Sequence, residues 1–319
     1  MATSDLHTPV MLDRCIELLA PAISRPGAIA IDATLGMGGH SEAMLERFEG
    51  LQLIGIDRDP DAIRLAGERL GRFGDRVTLV HAVYDELDHA LQSAGIESVE
   101  GILFDLGVSS LQLDEADRGF AYAKDAPLDM RMDQTGELTA ERIISDWSAA
   151  ELARIFRDYG DERLALRYAQ HIVAARQESP VDSSAKLVDI LQDATPARLK
   201  NAGHPAKRVF QALRIAVNRE LEVLETALPA ALEALAVDGR IVVMSYQSHE
   251  DRMVKRVLRD ATTSSSPAGL PVELPEYAAE FTLLTRGAER AAGEEQSSNP
   301  RSIPARLRAA QRVGVRSRR

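Results

Sequence analysis

Cysteine is nearly absent. The single thiol, Cys15, stands alone among 319 residues. It can form neither an intrachain disulfide nor a thiolate metal site, so no metal is expected. It sits in an amphipathic stretch, Met11–Leu19, and reads as a small buried hydrophobe. Aromatics make up only 4% of the chain, which implies a mostly aliphatic core. No apolar run approaches the length that crosses a bilayer, and Met1–Val10 lacks the basic-then-apolar pattern of a secretory signal. A reducing, cytoplasmic location with no membrane partner is expected. Positive charge is also in deficit: 38 Lys and Arg against 49 Asp and Glu give a net charge of −11. That excludes indiscriminate nucleic-acid binding by the whole surface.

Basic charge is clustered instead. Arg301 to Arg319 holds seven arginines and no acid. Arg252, Lys255, Arg256 and Arg259 form a second group, and His204, Lys207 and Arg208 a third. An acidic body with local basic patches suits a protein that engages one RNA or ribonucleoprotein surface.

With 45% hydrophobic and 27% charged residues, the composition is that of a globular protein of one large or two smaller domains. Its organising stretch is Ile29–His40. A short apolar run ends in Asp32, a turn carries Gly36, Gly38 and Gly39, and a helix is expected over Ser41–Phe48. Strand, glycine turn and helix form the nucleotide-cradling corner of a doubly wound sheet. A second apolar run, Leu51–Ile56, ends in Asp57, about 20 residues on, where an acid can accept both hydroxyls of a ribose. Pro60 at a helix start makes capping by Asp59 expected as well. Asp32 before the turn suits a cationic ligand better than a diphosphate, which favours S-adenosylmethionine over a nicotinamide cofactor.

Further strands are expected at Arg76–His81 and Gly101–Phe104, the latter delivering Asp105 to the carboxyl edge, where ligands bind. Tyr84 falls at the same edge. Four β/α alternations give a parallel sheet covered on both faces. Asp114–Asp133 then breaks the rhythm and reads as a functional lid. Thr139–Gly203 reads as helices without strands, an insertion whose expected role is substrate recognition. One long helix is expected over Val209–Leu228, its stripe of Phe210, Leu213, Val217, Leu221, Leu224 and Leu228 in the core. Arg214 and Asn218 lie on another face, where they face solvent or the site. A strand at Arg240–Ser245, a helix at Glu250–Ala261, a Ser/Pro-rich loop at Thr262–Pro275 and a last strand at Phe281–Thr285 follow. Gly287–Asn299 reads as flexible.

Several segments together carry a family resemblance: H-T-P-V-M-L-D at 7–13, D-A-T-L-G-M-G-G-H-S at 32–41, I-D-R-D-P-D-A-I at 56–63, F-D-L-G-V-S-S-L-Q-L-D at 104–114, R-G-F at 118–120 and P-L-D-M-R-M-D at 127–133. H-P-A-K-R-V-F-Q-A-L-R-I-A-V-N-R-E-L at 204–221, S-Y-Q-S-H-E-D-R at 245–252 and N-P-R at 299–301 continue it. In these the chain resembles the bacterial 16S ribosomal RNA (cytosine(1402)-N(4))-methyltransferase family. The resemblance implies a Rossmann-like class I methyltransferase sheet with an all-helical insertion domain. Its expected divisions are a discontinuous cofactor domain at 1–112 and 207–290, a lid and helical insertion at 113–206, and a flexible basic tail at 291–319. It implies S-adenosylmethionine as cofactor, 16S rRNA in the small ribosomal subunit as partner, and cofactor contacts at Gly38, Gly39, His40, Asp57, Tyr84, Asp105 and Gln112. The chain has Tyr246-Gln247 where the family often has Phe-His, so an imidazole role does not carry over to 247. His249 stands where Leu is common, and the arginine-rich end departs from the usual tail after Arg301.

For transfer to the exocyclic N4 of cytosine, positioning supplies most of the catalysis. A strong base is not required, because the methylated ammonium loses its proton easily. Asp105 or the Leu106 carbonyl is the candidate acceptor for the N4 hydrogens; the competing reading has Asp105 binding only the cofactor. Phe120 or Tyr122, in the lid, is a candidate to stack on the extruded base, with Arg214 and Asn218 beside it. Two other classes stay open on residues alone. One is a non-catalytic, cofactor-sensing ribosome-assembly factor. The other is an NAD-dependent oxidoreductase, for which no catalytic partner to His40 stands out.

Overall fold

The structure is a computed structural model that describes residues 9–199, 203–264, 266 and 277–314. His7 and Thr8, most of the expected Ser/Pro-rich loop, and Arg316, Arg318 and Arg319 lie outside these. In chain order the elements run α1 (Leu12–Ile23), β1 (Ile29–Asp32), α2 (Gly39–Arg47), β2 (Gln52–Asp57), α3 (Pro60–Leu70), β3 (Val77–His81), α4 (Leu87–Ala94) and β4 (Val99–Asp105). Helices follow: α5 (Ser110–Asp114), α6 (Ala140–Asp146), α7 (Ala149–Asp158), α8 (Ala165–Glu178), α9 (Ser184–Ala194), α10 (Ala206–Asn218) and α11 (Glu220–Ala234). The chain continues through β5 (Leu235–Ser245), α12 (Ser248–Ala261), β6 (Phe281–Leu283), α13 (Gly293–Ser298) and β7 (Arg306–Arg312). Among the described residues no helix is long and apolar enough to cross a membrane.

Two compact units result. The first comprises residues 1–107 and 222–319, the second 108–221. The first boundary therefore falls 5 residues before the expected one and the second 15 residues after it, so that α10 belongs to the second unit.

The first unit is a seven-stranded sheet ordered β3-β2-β1-β4-β5-β7-β6. β1 to β5 are parallel, and β7 is antiparallel to both β5 and β6. The expected doubly wound α/β sheet is present, with its order reversing between β1 and β4. Alternate strand residues supply the two faces. Ala30, Leu53, Leu103 and Val242 pack with α1 and α2 on one side. Ile31, Ile54, Ile102 and Val243 pack with α4, α11 and α12 on the other. The register sets Asp32 against Gly55 and Leu103, Asp57 against His81, and Asp105 against Met244, so four strand ends share one carboxyl edge.

The end of the described chain differs from expectation. Arg306–Arg312, read as part of a flexible basic tail, is the strand β7, and Gly287–Asn299 contains α13. Leu307, Ala309 and Ala310 are buried, while Arg308 and Arg306 bond to Asp251 of α12 at 2.8 and 3.1 Å. The Arg14 fork holds Glu289 at 2.7 and 2.9 Å, and the Met11 N–H donates to Glu295 at 2.7 Å. Burial and charge pairing thus hold the segment that composition alone presented as loose.

The second unit has its own core of Leu128, Met130, Ile143, Phe156, Tyr168, Leu187, Phe210 and Leu213 with their neighbours. The single helix expected over Val209–Leu228 is two helices. Arg219 takes a left-handed φ of 52° and ends α10, a break that no glycine or proline announces.

Candidate active site

The expected cofactor residues divide between the units. Gly38, Gly39, His40, Asp57, Tyr84 and Asp105 belong to the carboxyl edge of the sheet unit. Gln112 lies in the helical unit on α5. Its backbone N–H donates to Ser109 Oγ, and its Oε1 accepts from the Ser109 N–H, a reciprocal cap on that short helix.

The glycine turn is shaped by packing within the protein. Gly38 adopts φ 77° as the cap of α2, a left-handed conformation that favours glycine. A Cβ on Gly39 would lie 2.5 Å from Pro9 Cγ, so the residue is small because Pro9 is there. Asp32 also turns inward. It is 1% exposed; its Oδ2 accepts from Ser41 Oγ at 2.7 Å and its Oδ1 from the Thr34 N–H at 3.4 Å. Burial raises its pKa. A carboxylate in this position acts through its field and does not present itself to a ligand.

Two acids stand open by comparison. Asp57, half-buried at the end of β2, accepts from the Gly36 N–H at 2.7 Å and the Asp59 N–H at 2.9 Å. Burial pushes it up to about 6. Asp59 caps α3 by accepting from the Asp61 N–H at 3.1 Å, with Pro60 at the first turn, as the sequence indicates. Asp105, at the end of β4, is likewise pushed up to about 6 by burial. Its N–H donates to Thr34 Oγ1 at 2.6 Å, and its Oδ1 accepts from the Tyr246 hydroxyl at 2.6 Å. Burial, with the Asp105 charge beside it, raises the Tyr246 phenol far above its usual value, so the phenol stays a donor. Tyr84 follows β3, its ring edge-on to Phe104 at 5.6 Å.

His40 completes the geometry. Its Nε2 lies 3.1 Å from the Val10 carbonyl. That oxygen can only accept, so Nε2 carries the proton and Nδ1 is left an acceptor. Burial lowers the His40 pKa and keeps the ring neutral. Nδ1 stands 3.9 Å from Asp105 Oδ2, which is neither a hydrogen bond nor, with the ring neutral, an ion pair. Two acceptors facing each other across that gap suit an N–H-bearing cation between them. S-adenosylmethionine fits this set of acceptors: a ribose diol for Asp57, whose oxygens retain lone pairs, and an ammonium for His40 and Asp105.

Thr34, Ser41 and Tyr246 are the residues that sequence reasoning missed as site-builders. Tyr246 follows a strand expected to end at this edge; the sequence leaves its role unread, although with β5 beside β4 in parallel the residues just beyond each strand end are neighbours.

The lid candidates behave differently. Asn218 Oδ1 accepts from the Met132 N–H, and its Nδ2 donates to the Met130 carbonyl, both at 2.8 Å. Arg118 Nη2 donates to the Met132 carbonyl at 2.9 Å. Arg214 holds Glu220 through two bonds of 2.8 and 2.9 Å. Phe120 is buried. Tyr122 is stacked on His204 at 4.6 Å and edge-on to Phe210 at 5.8 Å. Arg118–Asp133 is therefore a clamped loop of the helical unit, and Arg214 and Asn218 are engaged inside it.

A family model described as the MraW methylase family matches residues 4–313. A ribosomal RNA small subunit methyltransferase H of Leifsonia xyli subsp. xyli is 65% identical over 97% of this chain and 95% of its own length. One of Clavibacter michiganensis subsp. michiganensis is 62% identical over 98% of both. A solved rRNA methylase structure from Streptococcus thermophilus is 13% identical, with a TM-score of 0.42 over 93% of each chain. With a match this continuous and relatives this similar along nearly their whole length, the chain belongs to the MraW methylase family.

Proposed function

We propose that the protein transfers a methyl group from S-adenosylmethionine to the exocyclic N4 of a decoding-centre cytosine, C1402, in the 16S rRNA of the small ribosomal subunit. As a methylase of this family, the chain takes S-adenosylmethionine as its cofactor. The target class follows from the relatives' names as small-subunit rRNA methyltransferases, and the base and atom from the motif resemblance. The observation that carries the reading is the acceptor pair of His40 Nδ1 and Asp105 Oδ2, at the switch point of the sheet and on the same carboxyl edge as Asp57.

When bound, the cofactor supplies an electrophilic methyl on its sulfonium. Asp57 accepts the ribose hydroxyls. Ionised Asp105, its carboxylate aimed by the Tyr246 hydroxyl, would hold the ammonium together with neutral His40, while Asp32 would add negative field from beneath the turn. The chain's share of catalysis is mainly positioning. The Leu106 carbonyl, one residue beyond Asp105, is the candidate acceptor for an N4 hydrogen, which frees the nitrogen lone pair. The helical unit is assigned to substrate recognition.

Isotopically labelled S-adenosylmethionine offered with small subunits lacking the modification tests this, with digestion and mass spectrometry of the nucleosides. The expected product is labelled N4-methylcytidine. Label in another nucleoside, or none while cofactor binding is intact, overturns the assignment.

A further inference from the structure

The helix α12 segregates its charges. Glu250 and Asp251, in its first turn, are buried. The Glu250 carboxylate accepts from the Tyr246 and Gln247 N–H groups at 2.9 and 3.1 Å. Asp251 accepts from Arg308 and Arg306 of β7 at 2.8 and 3.1 Å. Asp251 is thus neutralised by two arginines beneath the helix, and Glu250 is turned inward onto backbone N–H groups. Val254 and Leu258 are buried in the same inward face.

Arg252, Lys255, Arg256 and Arg259 are all exposed. Their spacing of three, four and seven places them on one face, a line about 10 Å long at the helical rise. Arg256 pairs with Glu225 of α11 at 3.0 Å, and Arg259 with its neighbour Asp260 at 2.8 Å. No described carboxylate lies within ion-pairing distance of Arg252 or Lys255. This is a cationic stripe on a chain of net charge −11, and uncompensated cations on an acidic body select a polyanion locally. The stripe has an address as well. α12 starts two residues after Tyr246, whose hydroxyl holds Asp105, so its first turn stands at the carboxyl edge and the stripe leads away from it.

We infer that the outer face of α12 is a docking surface for the phosphate backbone of the RNA substrate, engaging phosphates that flank the target base and carrying affinity without reading sequence. The inference rests on the reading that the substrate is rRNA. It also reassigns basic charge expected of the C-terminal segment: Arg306 and Arg308 serve the fold, and the stripe on α12 serves the ligand.

The test compares the full-length protein with Arg252→Gln/Lys255→Gln/Arg259→Gln, leaving the Arg256–Glu225 pair intact. A control, Arg47→Gln/Arg64→Gln/Arg72→Gln, removes the same charge from exposed sites on the α2–α3 side. Binding of unmodified small subunits is measured between 50 and 200 mM salt, as ranges in which phosphate contacts register strongly, alongside methyl transfer and cofactor affinity. The α12 variant is expected to bind RNA about 10-fold or more weakly. Its log K against log salt slope should flatten by about 2, for three phosphate contacts at about 0.7 each. KM for the RNA should rise with cofactor affinity unchanged. An unchanged slope and KM, or an equal loss in the control, overturns the docking surface and leaves the methyltransferase reading standing. Wild-type binding that depends on the stripe, with no transfer to the RNA, keeps the surface and overturns the reaction. No RNA binding by the wild type overturns both.

Discussion

The motif loop of the helical unit and the carboxyl edge of the sheet unit use acidic side chains in opposite ways. In the helical unit the motif residues satisfy one another. Arg131 grips Asp129 at 2.6 and 2.8 Å. Burial pushes the Asp129 carboxyl up, but the Arg131 fork and charge, with Arg118, outweigh it and hold the group below its usual range. In the sheet unit Asp57 and Asp105 have no cationic partner at bonding distance among the described residues, and burial raises both to about 6. A carboxylate held down by an arginine stabilises its fold; one pushed up by burial is held ready for a ligand that brings the missing donors. The sheet unit holds both kinds: Asp251, gripped by Arg306 and Arg308, is held below its usual range as Asp129 is, and the acids left raised are those at the carboxyl edge.

Substitution at each side breaks the comparison most sharply. Asp105→Asn should weaken S-adenosylmethionine about 10- to 100-fold, the loss of a charge-assisted bond of about 1.5–3 kcal/mol. Its unfolding midpoint should hold or rise, because a buried charge is gone. Calorimetric titration and urea unfolding read the two effects. Intact affinity with lost turnover would instead make Asp105 the acceptor of the reacting amine. Asn218→Leu should do the reverse. It strips partners from the Met130 carbonyl and the Met132 N–H, which destabilises by about 2–4 kcal/mol in urea unfolding. Unchanged stability there would remove the clamp assigned to Asn218.

The pH dependence sharpens the same contrast. Asp57 and Asp105 have folded pKa values raised from 3.8 to about 6, so between those values the native state binds more protons than the unfolded chain. Their contribution to stability therefore falls as pH rises through that window and stays lowered above it. In the proposed site both groups bind the cofactor ionised, so its affinity is expected to run the other way. It should weaken about 10-fold per carboxylate at pH 5 relative to pH 7, with proton release on binding; a flat affinity profile would contradict the roles given to these acids. Tyr246→Phe should act least. The Tyr246 hydroxyl holds the Asp105 pKa down, so its loss should move the acid limb of the cofactor-affinity profile to higher pH, with little change at pH 8. An unmoved limb would leave Tyr246 a packing residue.

The sheet was legible because each parallel strand is a short apolar run that stops at an acid or a turn, and the acids at 32, 57 and 105 mark the edge directly. What each acid meets was not legible. Asp32 looked available, but Ser41, one turn into the following helix, occupies it. Helical periodicity placed Arg214 and Asn218 on a face without revealing Glu220 or the 130–132 backbone opposite. β7 escaped notice because its inward residues, Leu307, Ala309 and Ala310, are small or few among arginines that read as solvent-facing. The turn at Arg219 escaped because its left-handed backbone, φ 52°, is carried by an ordinary side chain with no glycine or proline beside it.

The position of β7 in the sheet fixes an order of events during synthesis. All residues of the helical unit, 108–221, have been made before β5, β6 or β7 exists, and domains fold as units while the chain emerges. The sheet begins with β1 to β4 and must then wait. β5 has its outer edge bare until Arg306–Arg312 arrives to pair with it, and β6 has no partner before then. The sheet is therefore completed late, after every residue of the insertion has been made, and a nascent chain arrested before residue 306 would carry the whole helical unit and a sheet still open at β5.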